Sequence, residues 1–347
     1  MLKILKIFFL FASAAIGGAN AYAAIGMVEL PSDSTSGPIT IFYPTHQAEQ
    51  GEQRGPFQFE AAIDAPLAPA NHRLIIISHG SPASPWVYLD LIRNLVASGF
   101  IVAMPEHYAD NYRNDSEPGP PSWKRRPIEV SRAIDRVGMD RRFTSALDLA
   151  RVGMYGMSAG GHTALTLAGG RWSPARLRSH CQEHISEDFH TCAGLYLSLN
   201  GGLLDGLKKY LVKAVINAKF DDRTWYQHTD PRIAAIVAGV PFAVDFDPDS
   251  LAQPGIAVGI ISAKGDRWLV PKFHSEPIIN ACSTCENLLE LESGGHGALL
   301  SPLPKDMSDR LAPLIGDPPD FRRETEVPRV NSAITEFFIR HLLKKEK

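Results

Sequence analysis

The fold of this chain is decided by Arg151-Val152-Gly153-Met154-Tyr155-Gly156-Met157-Ser158-Ala159-Gly160-Gly161-His162. An apolar strand pattern leads into Gly-x-Ser-x-Gly, and a helical pattern continues over residues 163–167. A serine at the tip of a sharp strand-to-helix turn needs a strained backbone, and the flanking glycines keep side chains out of the crowded turn. The pattern predicts that Ser158 is a nucleophile facing a cleft, with the Ala159 amide directed at developing negative charge.

A turn of this kind also occurs as a purely structural element, in which the serine only caps the following helix. Two other parts of the sequence favour the catalytic interpretation. A histidine-glycine turn stands before the motif, and an acid and a histidine stand after it, each just past an apolar strand pattern.

The histidine-glycine turn follows the strand pattern at residues 73–78. Such β-branched apolar runs form strands buried on both faces of a parallel sheet. In His79-Gly80-Ser81 the glycine permits a sharp turn, so the backbone amide of Ser81 is predicted to be a second donor to an oxyanion. His79 itself is interpreted as bracing this loop through local hydrogen bonds, because chain order favours a later histidine as the base.

His296 is the candidate base, and it lies in the loop 292–297 that follows the strand pattern at residues 288–291. The neighbours of the histidine in this loop are serine and glycines. A histidine that must swing over Ser158 needs a flexible and uncrowded loop. Its predicted role is to take the serine proton as base and return it to the leaving group as acid.

Asp266 is the candidate acid, because it follows the strand pattern at residues 255–262 and stands between nucleophile and base in chain order. Its predicted role is to hold the His296 imidazole in one tautomer and to stabilise the imidazolium. Three carboxylates after the earlier strand pattern at residues 233–240 compete for this role: Asp245, Asp247 and Asp249. Their proline-flanked segment is interpreted as a solvated surface loop, and a Gly-Asp pair before a proline favours Asp266.

Strand and helix patterns alternate along the chain, which predicts the α/β class with a mostly parallel sheet flanked by helices. The predicted strands lie near residues 39–43, 73–78, 100–104, 152–156, 233–239, 256–262 and 287–291. The predicted helices lie at residues 86–97, 127–137, 161–168 and 328–343. A chain of 347 residues suffices for one large domain, predicted over residues 24–347.

Residues 171–229 are extra to this alternation and are predicted to form a helical cap insertion. A helix is expected over residues 203–218, where apolar residues recur at helical spacing opposite two lysines. These apolar residues are Leu204, Leu207, Leu211 and Val215. Their stripe is expected to pack, either over the carboxyl edge of the sheet or beside the core without contact to substrate.

The ordered motifs of the chain resemble those of predicted dienelactone hydrolases, the α/β-hydrolase group related to platelet-activating-factor acetylhydrolases. The resemblance spans about residues 25–345 and lies in Ile41-Phe42-Tyr43-Pro44-Thr45, Ser78-His79-Gly80, Ile101-Val102-Ala103-Met104-Pro105-Glu106-His107, Arg126-Pro127-Ile128-Glu129-Val130-Ser131, Gly156-Met157-Ser158-Ala159-Gly160-Gly161, Asp230-Pro231-Arg232-Ile233 and Gly294-Gly295-His296-Gly297. True dienelactone hydrolases have a cysteine where this chain has Ser158, so the resemblance does not extend to their substrate. The acetylhydrolases place their acid after the earlier strand, so Asp266 follows the dienelactone-hydrolase-like branch.

The resemblance implies an α/β-hydrolase fold and a serine carboxylester hydrolase that needs no cofactor. It implies Ser158, Asp266 and His296 as the triad and the amides of Ser81 and Ala159 as oxyanion donors. The expected partner is a small-molecule or lipid ester. Two alternatives remain open at this stage: an acyltransferase that uses the same acyl-enzyme, and a non-catalytic binding protein on the same scaffold.

The first residues predict export to the periplasm or the extracellular space. A basic start containing Lys3 and Lys6 precedes an apolar stretch at residues 7–16, which is too short for a committed membrane span. Ala21-Tyr22-Ala23 then matches a signal-peptide cleavage site, so residues 1–23 are predicted to be removed. No stable membrane insertion is expected.

The charge balance argues against a nucleic acid or an anionic membrane as the main partner. Without Lys3 and Lys6, the 35 basic residues become 33 against 38 acidic residues, a net charge of −5. The sequence does not indicate an oligomeric state.

Four cysteines in an exported chain predict two disulfides, and local pairing of Cys181 with Cys192 and of Cys282 with Cys285 is preferred. One alternative is a zinc site built from the first pair together with His184 and His190, although the spacing fits no usual pattern. The other is a redox-active Cys282–Cys285 pair, for which the chain offers no thioredoxin-like context.

Overall fold

The computed structural model describes residues 24–34, 36–309 and 311–343. The predicted signal peptide lies outside these described residues. Within them, ten strands form one sheet. The strands are β1 (Ala24–Leu30), β2 (Ile39–Thr45), β3 (Gln50–Arg54), β4 (Phe57–Ile63), β5 (Leu74–Ser78), β6 (Ile101–Pro105), β7 (Val152–Met157), β8 (Ile233–Gly239), β9 (Ala257–Ala263) and β10 (Glu286–Leu291).

Nine α-helices connect or flank these strands in the described residues. They are α1 (Leu89–Ala97), α2 (Pro120–Met139), α3 (Ala159–Leu167), α4 (Pro174–His184), α5 (Phe189–Ala193), α6 (Asp205–Lys219), α7 (Ser275–Ala281), α8 (Ala312–Ile315) and α9 (Arg323–Phe338). A single π-helical turn, Ile339–Leu343, continues α9.

The sheet is mostly parallel, and its strand order is β10-β9-β8-β7-β5-β6-β2-β1-β4-β3. All neighbouring pairs from β10 to β6 are parallel. Strand β2 joins β6 in the antiparallel direction and starts the mixed half of the sheet. The chain therefore belongs to the α/β class, as its alternating patterns predicted.

Helices cover both faces of the parallel half, which explains its continuous apolar strands. Neighbouring residues of a strand point to opposite faces. On β5, Leu74 and Ile76 pack with α2 and α3 on one face, whereas Ile75 and Ile77 pack with α1 and α9 on the other. Because both faces are buried, such strands lack the alternation of a half-exposed strand.

Each of the seven predicted strands is present, but β1, β3 and β4 were not predicted. Strand β3 reads QGEQR and has no apolar residue, so no hydrophobic pattern marks it. Its strand conformation depends on antiparallel pairing with β4 at the edge of the sheet. Partner strands of this kind are tertiary information that a local pattern lacks.

The segment 171–229 contributes α4, α5 and α6 between α3 and β8, and α6 confirms the predicted helix. The expected packing of its apolar stripe is wrong. The residues of the stripe face solvent with exposed fractions of 50–65%: Leu204, Leu207, Leu211 and Val215. An adjacent side packs instead, because Val212 and Ile216 are buried and the Lys213 ammonium donates to the Gln182 carbonyl of α4 at 2.6 Å.

Both preferred disulfides are present, Cys181–Cys192 between α4 and α5 and Cys282–Cys285 between α7 and β10. The first bond consumes the two thiolates that a zinc site in this segment would need. Each bond closes a short loop, so it restrains segments outside the sheet. No helix in the part of the chain that the structure describes has the length and apolar character to cross a membrane.

Candidate active site

Ser158 lies at the turn between β7 and α3, with φ +58° and ψ −118°. A non-glycine residue on the left-handed side of the map is strained, by roughly 1–3 kcal/mol, and needs surrounding contacts to hold it. The Ser158 amide donates to the Gly239 carbonyl at 3.0 Å, and its carbonyl accepts from the Phe242 amide at 3.1 Å. The end of β8 and the loop after it therefore hold the strained serine in place.

The glycines of the motif are required by close approach of the backbone. A Cβ on Gly160 would lie 1.9 Å from the Ser78 carbonyl oxygen, and one on Gly156 would lie 1.9 Å from the Gly160 carbonyl oxygen. Neither contact leaves room for any side chain. The two glycines thus let α3 start directly against the ends of β5 and β7.

The structure brings the three predicted triad residues into one hydrogen-bonded chain. His296 Nε2 lies 3.1 Å from Ser158 Oγ, and His296 Nδ1 lies 2.7 Å from Asp266 Oδ2. The other carboxylate oxygen of Asp266 accepts the amides of Trp268 at 2.8 Å and Leu269 at 2.9 Å. These bonds fix the buried carboxylate toward the imidazole.

The loop that carries His296 is packed, so the expectation of an uncrowded loop is wrong. Residues 294–297 are buried. A Cβ on Gly297 would lie 2.1 Å from the Ile315 carbonyl oxygen, and one on Gly294 would lie 2.9 Å from the Leu291 Cβ. The glycines allow close packing around the histidine, whose imidazole lies within hydrogen-bond distance of the serine.

The competing carboxylates do not reach His296. Asp245 is fully buried and lies 3.2 Å from His162 Nε2, so the interpretation of its segment as a solvated surface loop is wrong at that residue. Asp247 accepts from the Arg171 guanidinium at 2.5 and 2.8 Å. Asp249 is exposed. Of the four candidates, Asp266 alone bonds to the imidazole among the described residues.

The predicted oxyanion donors, Ser81 and Ala159, both border the space in front of Ser158. Within the described ranges, neither backbone amide donates to another protein group. Gly80 lies beside Ser158, since a Cβ on it would lie 3.6 Å from the Ser158 Cβ. Two free amides at such a position can stabilise an anion that forms next to them.

His79 braces the loop, as its sequence position suggested. The ring is fully buried, Nδ1 donates to the Gly80 carbonyl at 2.7 Å, and Nε2 accepts the His107 amide at 3.3 Å. One nitrogen donates and the other accepts, so this geometry fits the neutral imidazole. Burial lowers the pKa of His79 well below 6.5, and nearby His107 and Arg126 lower it further.

The free energy of unfolding is expected to fall as pH decreases below about 6.5, with His79 as a contributor. Because the pKa of His79 is lower in the folded protein, the unfolded chain binds more protons in this range and stability rises with pH. One such histidine adds a slope of up to about 1.4 kcal/mol per pH unit. Urea titrations of the native protein and His79→Gln between pH 7.5 and 5 should show the weaker dependence in the variant. Equal slopes would contradict the assignment.

A second serine-histidine-carboxylate chain lies next to the loop at residues 79–81. His107 is 2.7 Å from Ser78 Oγ through Nε2 and 2.6 Å from Glu129 Oε2 through Nδ1. All three side chains are buried, and neither Ser78 nor His107 lines a cavity at Ser158. Burial lowers the pKa of His107 and raises that of Glu129. We assign this chain a structural role, in which it joins the ends of β5 and β6 to α2.

Two cavities meet at Ser158 and His296. The larger, of about 330 Å³, has a predominantly apolar lining that includes Phe57, Trp86, Val87, Leu300, Leu311 and Ile315. The smaller, of about 170 Å³, is lined in part by Trp123, Phe242, Trp268, His190, Thr191 and Leu195. The last three belong to segment 171–229, so that segment borders the serine although the apolar stripe of α6 does not.

Another cavity lies away from Ser158. This cavity, of about 760 Å³, adjoins residues 32–34, residues 36–38 and Glu106, but none of the predicted triad residues lines it. The residues that the structure describes include no group of three or more histidine, cysteine or acidic side chains arranged to hold a metal ion. The sequence reasoning did not assign roles to Tyr88, Asp110 or Arg126, which contact the loop at residues 79–81.

No protein-family model matches this chain, and no curated protein matches it. The resemblance to dienelactone hydrolases and acetylhydrolases therefore stays a prediction from the motifs.

Proposed function

We propose that this protein is an exported serine hydrolase that cleaves carboxylic esters through an acyl-enzyme on an α/β-hydrolase fold. The observation that carries the proposal is the continuous chain from Ser158 Oγ through His296 to Asp266. The serine opens onto two cavities, whereas the similar Ser78–His107–Glu129 chain is buried. The order of the motifs along the sequence supports the proposal that this protein is a member of the dienelactone-hydrolase-like group.

In the proposed reaction, His296 Nε2 accepts the Ser158 proton as the oxygen attacks the ester carbonyl carbon. The amides of Ser81 and Ala159 stabilise the oxyanion of the tetrahedral intermediate. His296 then donates the proton to the departing alcohol oxygen, which leaves Ser158 acylated. Water then attacks the acyl carbon as His296 Nε2 accepts its proton, and His296 returns that proton to Ser158 Oγ when the carboxylic acid leaves.

The cavity linings suggest an ester with apolar groups on both sides of the scissile bond. Apolar walls with few polar groups select for size and shape. This description includes small-molecule and lipid esters, and the chemistry calls for no cofactor. The two disulfides suit an oxidising compartment, which supports the proposal of export.

Covalent labelling tests this proposal directly. We expect a fluorophosphonate to add one phosphonyl group to the folded protein, with Ser158 as the modified residue in peptide mass spectrometry. Hydrolysis of p-nitrophenyl esters of increasing acyl length should be detected in parallel, and denatured protein is the labelling control. A folded protein that neither reacts with the probe nor hydrolyses any ester of the panel would contradict the proposal and favour a binding protein. Added alcohols that divert the acyl group from water would favour acyl transfer.

A further inference from the structure

A buried ion pair lies next to the loop at residues 79–81 and takes no part in the proposed triad. Arg126 of α2 and Asp110 are both fully buried, with Nη2 and Oδ2 2.8 Å apart and Nε and Oδ2 3.1 Å apart. Desolvation offsets much of the attraction in such a pair, so stability alone is a weak reason for its presence. Its hydrogen bonds to the loop indicate a more specific role.

Arg126 holds two successive carbonyl groups of the loop. Nη1 donates to the His79 carbonyl at 2.5 Å, and Nη2 donates to the Gly80 carbonyl at 3.3 Å. His79 Nδ1 also donates to the Gly80 carbonyl, and the Gly80 amide donates to the Tyr88 hydroxyl at 3.2 Å. Both peptide planes of the turn are thus fixed by groups outside the triad.

The orientation of the Gly80 carbonyl determines the direction of the Ser81 amide. These two groups belong to one peptide unit, which is trans, and in a trans peptide the C=O and N–H bonds point in opposite directions. Since the carbonyl points to Arg126 and His79, the Ser81 N–H points away from them. No protein group in the described ranges accepts that N–H, and Ser81 shares both cavities with Ser158.

Asp110 bonds both to Arg126 and to the side chain of Ser81. Its Oδ1 accepts the Ser81 hydroxyl, and its Oδ2 accepts the Ser122 hydroxyl in addition to Arg126. The carboxylate therefore orients the guanidinium and also restrains the side chain of the residue that carries the free amide. A planar guanidinium with several donors in a fixed geometry is suited to this task, whereas an ammonium is not.

We infer that Arg126 and Asp110 are positioning residues that aim the Ser81 amide at the oxyanion formed when Ser158 attacks an ester. Neither side chain touches the reacting atoms. The inference rests on the proposed ester hydrolysis, and it adds the reason why the turn after β5 holds its donor in one direction. A misaimed donor weakens binding of the transition state more than binding of the substrate.

The test compares Arg126→Lys and Asp110→Asn with the native protein on one p-nitrophenyl ester. We expect kcat to fall by about 10- to 100-fold with KM changed less than about twofold, because loss of one oxyanion donor costs 10²–10³ in other hydrolases. Arg232→Lys is the matched control, since Arg232 bonds to Asp230 at 2.6 Å and borders neither cavity at Ser158. Its kcat should stay within about twofold of the native value.

A trifluoromethyl ketone separates positioning from a general structural effect. Ser158 adds to its carbonyl carbon, the serine proton passes to His296, and the resulting hemiketal oxyanion needs the same donors. Its affinity should fall by the same factor as kcat/KM, whereas the affinity of a non-reacting ether of the same shape should be unchanged. Equal losses for both inhibitors, or a change in KM alone, would overturn the inference.

Ser81→Ala keeps the test decisive if the buried variants fail to fold. This change removes the hydroxyl that Asp110 accepts but leaves the backbone amide, so kcat and ketone affinity should fall together by roughly three- to tenfold. Unchanged values in folded Ser81→Ala would overturn the inference when no buried variant folds. If the native protein shows neither esterase activity nor phosphonylation, the proposed function itself is contradicted. If the native protein is active and the variants are unaffected, only the positioning role is contradicted.

Discussion

Ser158→Ala is expected to lower kcat by on the order of 10³-fold or more while the protein stays folded. The change removes the oxygen that lies 3.1 Å from His296 Nε2, so no acyl-enzyme can form. The hydroxyl at the open end of the turn contributes little packing. A small methyl group at the same strained position keeps the backbone contacts with Gly239 and Phe242.

Initial rates on p-nitrophenyl esters and fluorophosphonate labelling measure this effect. Ser179→Ala is the matched control, because Ser179 belongs to α4 and lines neither cavity at Ser158. The control should keep both activity and labelling. Near-native hydrolysis by correctly folded Ser158→Ala, judged by its thermal melt, would remove Ser158 as the nucleophile.

Asp266→Asn is expected to lower kcat by up to about 10⁴-fold, the loss known for the same change in a comparable triad. The carboxylate accepts from His296 Nδ1 at 2.7 Å, and an amide in its place offers an NH₂ group or a weaker acceptor. The imidazole then loses the support for its positive charge and the partner that selects its tautomer. Because asparagine is nearly isosteric, the melting temperature should change far less than the activity.

Asp247→Asn is the matched control for this carboxylate. Asp247 follows the earlier strand and bonds to Arg171, so its replacement should leave kcat near the native value. Kinetics on the same ester and thermal melts of both variants make the comparison. Loss of activity in Asp247→Asn with an active Asp266→Asn would instead place the acid after β8.

Local sequence determined much of the candidate site. The Gly-x-Ser-x-Gly motif requires contacts that only glycine permits, as the Cβ positions of Gly156 and Gly160 show. Apolar runs marked the strands that bring Ser158, Asp266 and His296 to one edge of the sheet, because the carboxyl ends of parallel strands meet there. The two short-range disulfides were also predictable from the sequence, since closely spaced cysteines favour local pairing.

Only the tertiary structure decided which of the candidate carboxylates bonds to His296. Asp245 and Asp266 both follow strands, but the first is buried against His162 and the second bonds to His296. Packing also turned the apolar stripe of α6 to solvent, a direction that helical periodicity does not specify.

The loop at residues 79–81 shows most clearly which properties the sequence predicts and which the tertiary structure decides. Its glycine and its place after an apolar strand are visible in the sequence, and they predict Ser81 as an oxyanion donor. The direction of that donor depends on Arg126 and Asp110, which lie far along the chain and meet the loop only in the folded protein. Local patterns record the conformations that a segment permits, whereas the orientation of a peptide group is set by the partners that folding places around it.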